Sequence, residues 1–131
     1  MQVVSPIDIE DALRIDLAPL LPQCRVMATP IPPDLKADDI VLTSLGGARV
    51  SGASHEYDVG VDCYAEDEGA AVALANEVHG VMCSLPLRDT STQYSNVGAN
   101  APYQNNDPRA PQLARRTFRA TVICPGTRIQ F

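Results

Sequence analysis

Two stretches of the chain alternate apolar and polar side chains with the two-residue period of a half-buried β-strand. In residues 55–65, "HEYDVGVDCYA", one face is formed by Tyr57, Val59, Val61 and Cys63, and the other by Glu56, Asp58 and Asp62. In residues 113–124, "LARRTFRATVIC", one face is formed by Ala114, Phe118, Ala120, Val122 and Cys124, and the other by Arg115, Thr117, Arg119 and Thr121. Each pattern predicts a strand with one face in the core and a charged outer face.

Two other stretches space their apolar residues as a helix does. The first predicted helix has Ser5 as N-cap and Pro6 at its first position, ends near Pro19, and has an apolar stripe of Ile9, Leu13, Leu17 and Leu20. The second covers residues 66–85, begins with acidic residues that suit the positive end of the helix dipole, and ends before Pro86. Its predicted buried face consists of Val72, Ala75, Val78, Val81, Met82 and Leu85.

Shorter patterns complete the architecture. Residues 24–29, 39–45 and 91–99 predict three further strands, and Gly46-Gly47 predicts a hairpin turn. This order of elements favours a single α+β domain over residues 1–131. We expect a mostly antiparallel sheet of about five strands that is flanked by two helices on one face.

The chain is acidic, with a formal net charge of −6 and a pI near 4.7. General nucleic-acid binding is therefore disfavoured, because phosphate contacts need a positive field, although an acidic surface beside DNA would repel it. The N-terminus lacks the basic and apolar regions of a signal peptide, and no apolar run reaches the length of a membrane span. We expect a protein that is made and kept in a cytosol and has no membrane partner.

Candidate catalytic groups are few and scattered. The cysteines are singly placed within apolar stretches, at positions 24, 63, 83 and 124. They are expected to be buried free thiols rather than zinc ligands. His55 and His79 have no second ligand at metal-binding spacing and are expected to be solvated or locally bonded. We expect no catalytic, cofactor-binding or metal-binding residues, and a protein that is not an enzyme.

The outer faces of the two alternating strands are opposite in charge. Arg115 and Arg119 would meet the acidic face of residues 56–62 if the strands pair in one sheet or meet across subunits. On a plain surface such pairs contribute about 0–1 kcal/mol, whereas in a ring interface they fix register and partner choice. Arg116 interrupts the apolar face and is expected to extend its charged group to water at the sheet edge.

Residues 98–112 form a loop that is longer than a hairpin needs and is therefore expected to project. Three prolines stiffen it, and the run Asn105, Asn106 and Asp107 favours turns. Tyr103 and Arg109 are its expected interface anchors, because Tyr and Arg are enriched among the residues that dominate interface energetics. The alternative is a surface loop that stays disordered until assembly.

A larger pattern resembles a known family. In "HEYDVGVDCYAEDEGAAVALANEVHGVM" an acidic strand runs directly into an Ala-rich helix, and "PYQNNDPRAP" later leads into "RRTFRATVIC". Together these segments resemble the tail terminator (tail completion) proteins of long-tailed bacteriophages and prophages. The resemblance extends from about residue 5 to about residue 125.

The resemblance implies a small α+β domain that forms a ring, a hexamer in this family, on the head-proximal end of a finished tail tube. Such a ring ends tube polymerisation, presents the surface that joins the head–tail connector, and lets DNA pass through its lumen without specific binding. The implied partners are further copies of the chain, the tail tube protein and the connector protein, with no cofactor. The protein would belong to the virion and assemble in the bacterial host cytoplasm. The residues expected at its interfaces are Glu56, Asp58, Asp62, Tyr103, Asp107, Arg109, Arg115 and Arg119.

Three alternatives remain open at the level of sequence. The first is another phage neck component, such as a head-completion or tail-tube-like protein, which would share size, acidity and ring assembly. The second is a small cytosolic enzyme with a cleft near His55, Asp58 or His79. The third is a small ligand- or peptide-binding α+β module that uses residues 98–112 as its binding loop.

Overall fold

The computed structural model describes residues 1–130, which contain eight strands and two α-helices. The strands are β1 (Gln2–Ser5), β2 (Arg25–Ala28), β3 (Asp39–Arg49), β4 (Ser54–Ala65), β5 (Asn96–Ala99), β6 (Tyr103–Gln104), β7 (Ala114–Pro125) and β8 (Thr127–Gln130). The helices are α1 (Ile9–Leu17) and α2 (Glu68–Ser84), and each continues into a 3₁₀ turn, Ala18–Leu20 and Leu85–Leu87.

The main sheet has the strand order β2-β3-β4-β7-β5, and β6 also pairs with β7. The β2–β3 pair is parallel, and the other pairs of this sheet within residues 1–130 are antiparallel. β1 and β8 form a separate antiparallel ribbon. The expected α+β class is confirmed. The parallel pair, the short strand β6 and the ribbon were not predicted from the patterns of the sequence.

Both helices pack on the same face of the main sheet. The inward positions of the two central strands are occupied by Val59, Val61, Cys63, Phe118, Ala120 and Val122. They form one buried cluster with helix residues that include Leu13, Leu17, Leu74, Val78 and Met82. Full burial of a Val, Leu, Phe or Met side chain contributes roughly 1.5–3 kcal/mol, so this layer provides much of the hydrophobic stabilisation.

The helices differ from the expectation in their ends and in one buried position. Asp8, not Ser5, is the N-cap of α1: its side chain accepts a hydrogen bond from the Asp11 amide at 3.1 Å, and Ser5 is paired in β1. α1 ends at Leu17, so Pro19 lies in the 3₁₀ turn that follows it. On α2, Val72 is 38% exposed. Position 72 therefore points away from the sheet.

Gly46-Gly47 is a bulge and not the predicted hairpin turn. β3 and β4 pair on both sides of it, with a register shift between Ser44 and Gly47. Gly46 has a φ of +100°, a conformation that favours glycine. The turn lies in residues 50–53, where the Val50 amide donates to the Ser54 carbonyl at 3.1 Å.

The expected strand over residues 91–99 begins only at Asn96. The residues before it fold around the buried carboxylate of Asp16 on α1, which accepts hydrogen bonds from Ser91, Thr92 and Tyr94. Burial alone opposes the charge of Asp16, but these hydrogen bonds outweigh it and lower the pKa of Asp16. This long-range contact has no signal in the local periodicity.

Candidate functional site

The open face of the sheet, opposite the helices, brings the charged faces of β4 and β7 together. The two strands pair with Asp62 opposite Thr117, Gly60 opposite Arg119, and Asp58 opposite Thr121. The threonine hydroxyls donate to the carboxylates, at 2.7 Å from Thr117 to Asp62 and at 3.2 Å from Thr121 to Asp58. Asp58 and Asp62, which we call the acidic column of β4, therefore accept hydrogen bonds from neutral side chains of β7.

Arg119 lies in the middle of this open face. Its cross-strand partner is Gly60, which has no side chain, and its backbone N–H donates to the Asn100 side chain at 2.7 Å. Among the residues that the structure describes, no carboxylate forms an ion pair with the exposed Arg119 guanidinium. Of the two arrangements left open by the sequence, β4 and β7 pair in one sheet, but Arg119 does not form an ion pair with the β4 carboxylates within the described chain.

Arg115, the other predicted interface arginine, is used inside the chain. Its guanidinium is 3.5 Å from the Asp107 carboxylate, and its central carbon lies 5.8 Å from the centre of the Tyr64 ring. It also donates to the Asn105 carbonyl. Arg115 therefore holds the preceding segment against the sheet and is only partly available to a partner.

Residues 98–112 do not project, which corrects the prediction. β6 pairs with β7, and the side chains of Gln104 and Asn106 donate to Glu68 at the start of α2. Asp107 is 2% exposed. The segment therefore lies against the domain, and its ordering is explained by contacts within the chain.

Asp107 is the anchor of this segment rather than an exposed interface residue. Its carboxylate accepts hydrogen bonds from Tyr64 Oη at 2.9 Å and from Arg109 Nε at 3.1 Å. The Arg109 guanidinium lowers the pKa of Asp107 to about 2. At neutral pH this buried carboxylate is charged, and the hydrogen bonds from Tyr64 and Arg109 replace its lost hydration.

Tyr103 and Arg109, the predicted anchors of an interface, keep accessible surface in the folded chain. Tyr103 is 48% exposed on β6, and the Arg109 side chain is 64% exposed although it bonds to Asp107. Arg116, by contrast, reaches back to Glu68, with 3.9 Å between Nη2 and Oε2. Tyr103 and Arg109 can therefore contact a partner, whereas Arg116 is half-buried against the domain.

The histidines and cysteines occupy separate places. His79 lies edge-on to Phe118, and its Nε2 is 3.4 Å from the Ala99 carbonyl. His55 is buried, against the expectation of a solvated or bonded side chain, and its Nδ1 has no hydrogen-bond partner among the described residues. Cys63 and Cys124 are buried, Cys24 and Cys83 are half-buried, and burial raises the pKa of each thiol. In residues 1–130, no group of three or more His, Cys, Asp or Glu side chains could hold a metal.

A cleft of about 440 Å³ opens where the N-terminal segment crosses the bulge of β3. Its apolar walls include Ile7, Ile9, Ala48 and Tyr57. The Tyr57 hydroxyl accepts a hydrogen bond from the Ile7 amide at 2.9 Å, which fixes the segment across the strands. Asp8, Arg49 and Glu56 are the charged residues that line it. Local patterns did not predict this cleft, since it joins parts of the chain more than 30 residues apart.

No protein-family model matches the chain, and no curated protein sequence matches it. By length and composition, Glu68–Leu87 would suffice to cross a membrane, with a mean hydropathy of 1.3, against the expectation that no apolar run does. In the fold this segment packs one face on the sheet, with Ala71, Ala75 and Val78 buried. Core helices of this kind meet the same criterion.

Proposed function

We propose that this chain is a structural phage protein that caps the head-proximal end of the tail tube as a ring. The ring would end tube polymerisation and provide the joining surface for the head connector, and DNA would pass through its lumen. The proposal starts from the resemblance of residues 55–82 and 102–124 to tail terminator proteins. The α+β fold with two helices on one sheet face is compatible with that assignment.

The observation that carries the proposal is the charge arrangement on the open sheet face. The exposed Arg119 has no ion-pair partner within residues 1–130 and lies between the levels of Asp58 and Asp62. In a head-to-tail ring each subunit meets its neighbours through different surfaces, so the open face, where Arg119 lies beside Asp58 and Asp62, can meet a complementary charge pattern on one neighbour. Such pairing sets orientation and partner choice more than affinity.

The net charge supports the same proposal. Each chain has a formal net charge of −6, so a ring of such chains is strongly negative as a whole, and its lumen would be acidic under this proposal. A negative lumen repels phosphates, so the duplex slides through and is not held. A protein that binds the DNA backbone tightly would need a positive electrostatic potential along its lumen.

The proposal is tested by deleting the gene from the phage or prophage that encodes it. We expect heads of normal appearance and free tails of irregular, excessive length, which complementation in trans restores to normal length. Electron microscopy of negatively stained particles measures tail length directly. Tails of normal length that lie beside leaking heads would instead identify a head-completion protein and contradict the proposal.

The cleft at the bulge favours a second candidate function, a small ligand-binding module. Its volume of about 440 Å³ and its apolar walls fall within the range of small-molecule sites. A deletion that leaves tail length and head joining unchanged would favour this candidate over a ring.

A further inference from the structure

Leu87 is the most exposed large apolar residue described, with 92% of its surface accessible. It ends the 3₁₀ turn Leu85–Leu87, in which Pro86 restricts the backbone. Leu85 is fully buried, and its carbonyl accepts from the Arg88 amide at 3.1 Å. Leu87 is therefore held outward by a turn that is anchored in the core, which lowers the entropy lost when a partner binds it.

The cleft at the bulge lies beside an open edge of the sheet. β2 pairs with β3 only as far as Leu42, so the part of β3 that borders the cleft has no strand on its outer side among the described residues. The carboxylate of Glu10 accepts from the Ser44 amide at 2.7 Å and covers the start of this edge. Beyond Ser44 the edge and the apolar cleft are free to meet a neighbour.

Leu87 and the cleft lie near opposite edges of the sheet. One cross-strand row runs from Ala48 through Glu56 and Ile123 to Asn96 on β5. The Leu85–Leu87 turn packs beside β5 at the far side of this row. With strands about 4.8 Å apart, the row spans roughly 14 Å. A projection on one side and a recess on the other is the arrangement that a repeating head-to-tail contact needs.

The charges next to the two surfaces are complementary. Arg88 and Asp89 follow Leu87 directly and are both exposed. The cleft is lined by the anions Asp8 and Glu56 and by the cation Arg49, which donates to the carbonyls of Ser51 and Gly52. Arg88 of an entering segment can therefore meet either of two anions, and Asp89 can meet Arg49.

From these observations we infer that Leu87 of one copy inserts into the cleft between Ile7, Ala48 and Tyr57 of the next copy. The occupant of the cleft is thus a second copy of this chain, and the contact repeats around a ring. The inference rests on the proposed function for the ring itself, and it adds the residues that join one subunit to the next.

The contact is tested by intermolecular paramagnetic relaxation between two preparations of the full chain. One is ¹⁵N-labelled wild type. The other is unlabelled and carries a nitroxide at Gln93→Cys, an exposed position near Leu87, with Cys24→Ser and Cys83→Ser to restrict labelling. We expect the amides of Ile7, Ala48 and Glu56 in the labelled chain to broaden.

Matched variants of the nitroxide-carrying chain decide whether Leu87 is the cause. Leu87→Asp should abolish the broadening and weaken self-association, measured by light scattering, at least tenfold, because the buried leucine is lost. Val72→Asp, which alters another exposed apolar residue of the same helical segment, should retain both. Absence of broadening in the cleft, or broadening that persists with Leu87→Asp, overturns the inference.

The two proposals fail in different ways. Rings that form with Leu87→Asp, seen by electron microscopy, overturn the Leu87 contact and leave the terminator function standing. Normal tails in the deletion phage overturn the terminator function, whatever the relaxation experiment shows for self-association.

Discussion

Two buried carboxylates organise the loops of this domain at the residue scale. Asp16 accepts hydrogen bonds from residues 91–94, and Asp107 accepts them from Tyr64 and Arg109. A carboxylate that is withdrawn from water stays charged only where donors replace its hydration. A whole loop therefore depends on each of these aspartates.

Replacement of Asp107 by Asn should lower the free energy of unfolding by about 2 kcal/mol, because hydrogen bonds to a charged acceptor contribute about 1.5–3 kcal/mol. Urea unfolding at neutral pH measures the change, and hydrogen exchange should show faster opening of residues 105–113. The control is Asp34→Asn, which removes a more exposed carboxylate 3.5 Å from Arg25 and should change stability by less than about 0.5 kcal/mol.

The pH dependence of the free energy of unfolding provides a second test of the role of Asp107. The folded pKa of Asp107 is about 2, below its ordinary value near 3.9. A depressed pKa stabilises the fold fully above the unfolded value, and this contribution is lost as the pH falls from about 5 to 2. The wild type should lose more stability over that range than Asp107→Asn. Equal losses would contradict the assigned role of Asp107.

The sequence pattern predicted only part of the environment of Arg115 and Arg119. The alternation of residues 113–124 predicted the outward direction of Arg115 and Arg119, and the structure confirms that direction. It could not distinguish the two arginines, because Arg115 is paired with Asp107 by a fold-back of the chain that leaves no periodic signal. The prediction of a projecting loop failed for the same reason.

Local periodicity predicted the bounds of an element correctly where the element is long and packs along one face. β4, β7 and α2 begin and end within about two residues of their predicted bounds. β1 and β8 are short and lie at opposite ends of the chain, so neither has a pattern that reveals its partner. Gly46-Gly47 was misassigned because a turn and a bulge select glycine for the same conformational reason.

The bulge yields a prediction with an internal control. A Cβ at Gly47 would lie 1.9 Å from the Glu56 carbonyl oxygen, so Gly47→Ala must displace a strand and should cost about 2–3 kcal/mol. Gly80 lies exposed within α2 with open space around it, so Gly80→Ala should stabilise the chain by up to about 1 kcal/mol. Thermal unfolding measures both shifts. A Gly47→Ala protein as stable as the wild type would exclude the tight bulge.

The whole molecule has two unlike lateral surfaces and an open face on which Arg119 lies between the levels of Asp58 and Asp62. The helical face is closed by its own core, whereas the β3 edge, the β5 edge and the centre of the open face remain available. Unlike surfaces on opposite sides favour closed rings when the rotation between copies divides a full turn. The surfaces through which copies can join are therefore the sheet edges, the open face and the Leu85–Leu87 turn that follows α2.

The charge of Arg119 should matter for assembly and not for folding. Arg119→Glu places a carboxylate between Asp58 and Asp62, and since the position is exposed, stability should fall by no more than about 1 kcal/mol. Ring formation and the completion of tails in a complemented deletion phage should nevertheless fail, because the face would present one sign of charge to every neighbour. Arg14→Glu makes the same change of charge on α1, where Arg14 contacts only Asp11 among the described residues, and should assemble normally. If Arg119→Glu rings form at the wild-type concentration, the open face is solvated in the assembly and the subunits join elsewhere.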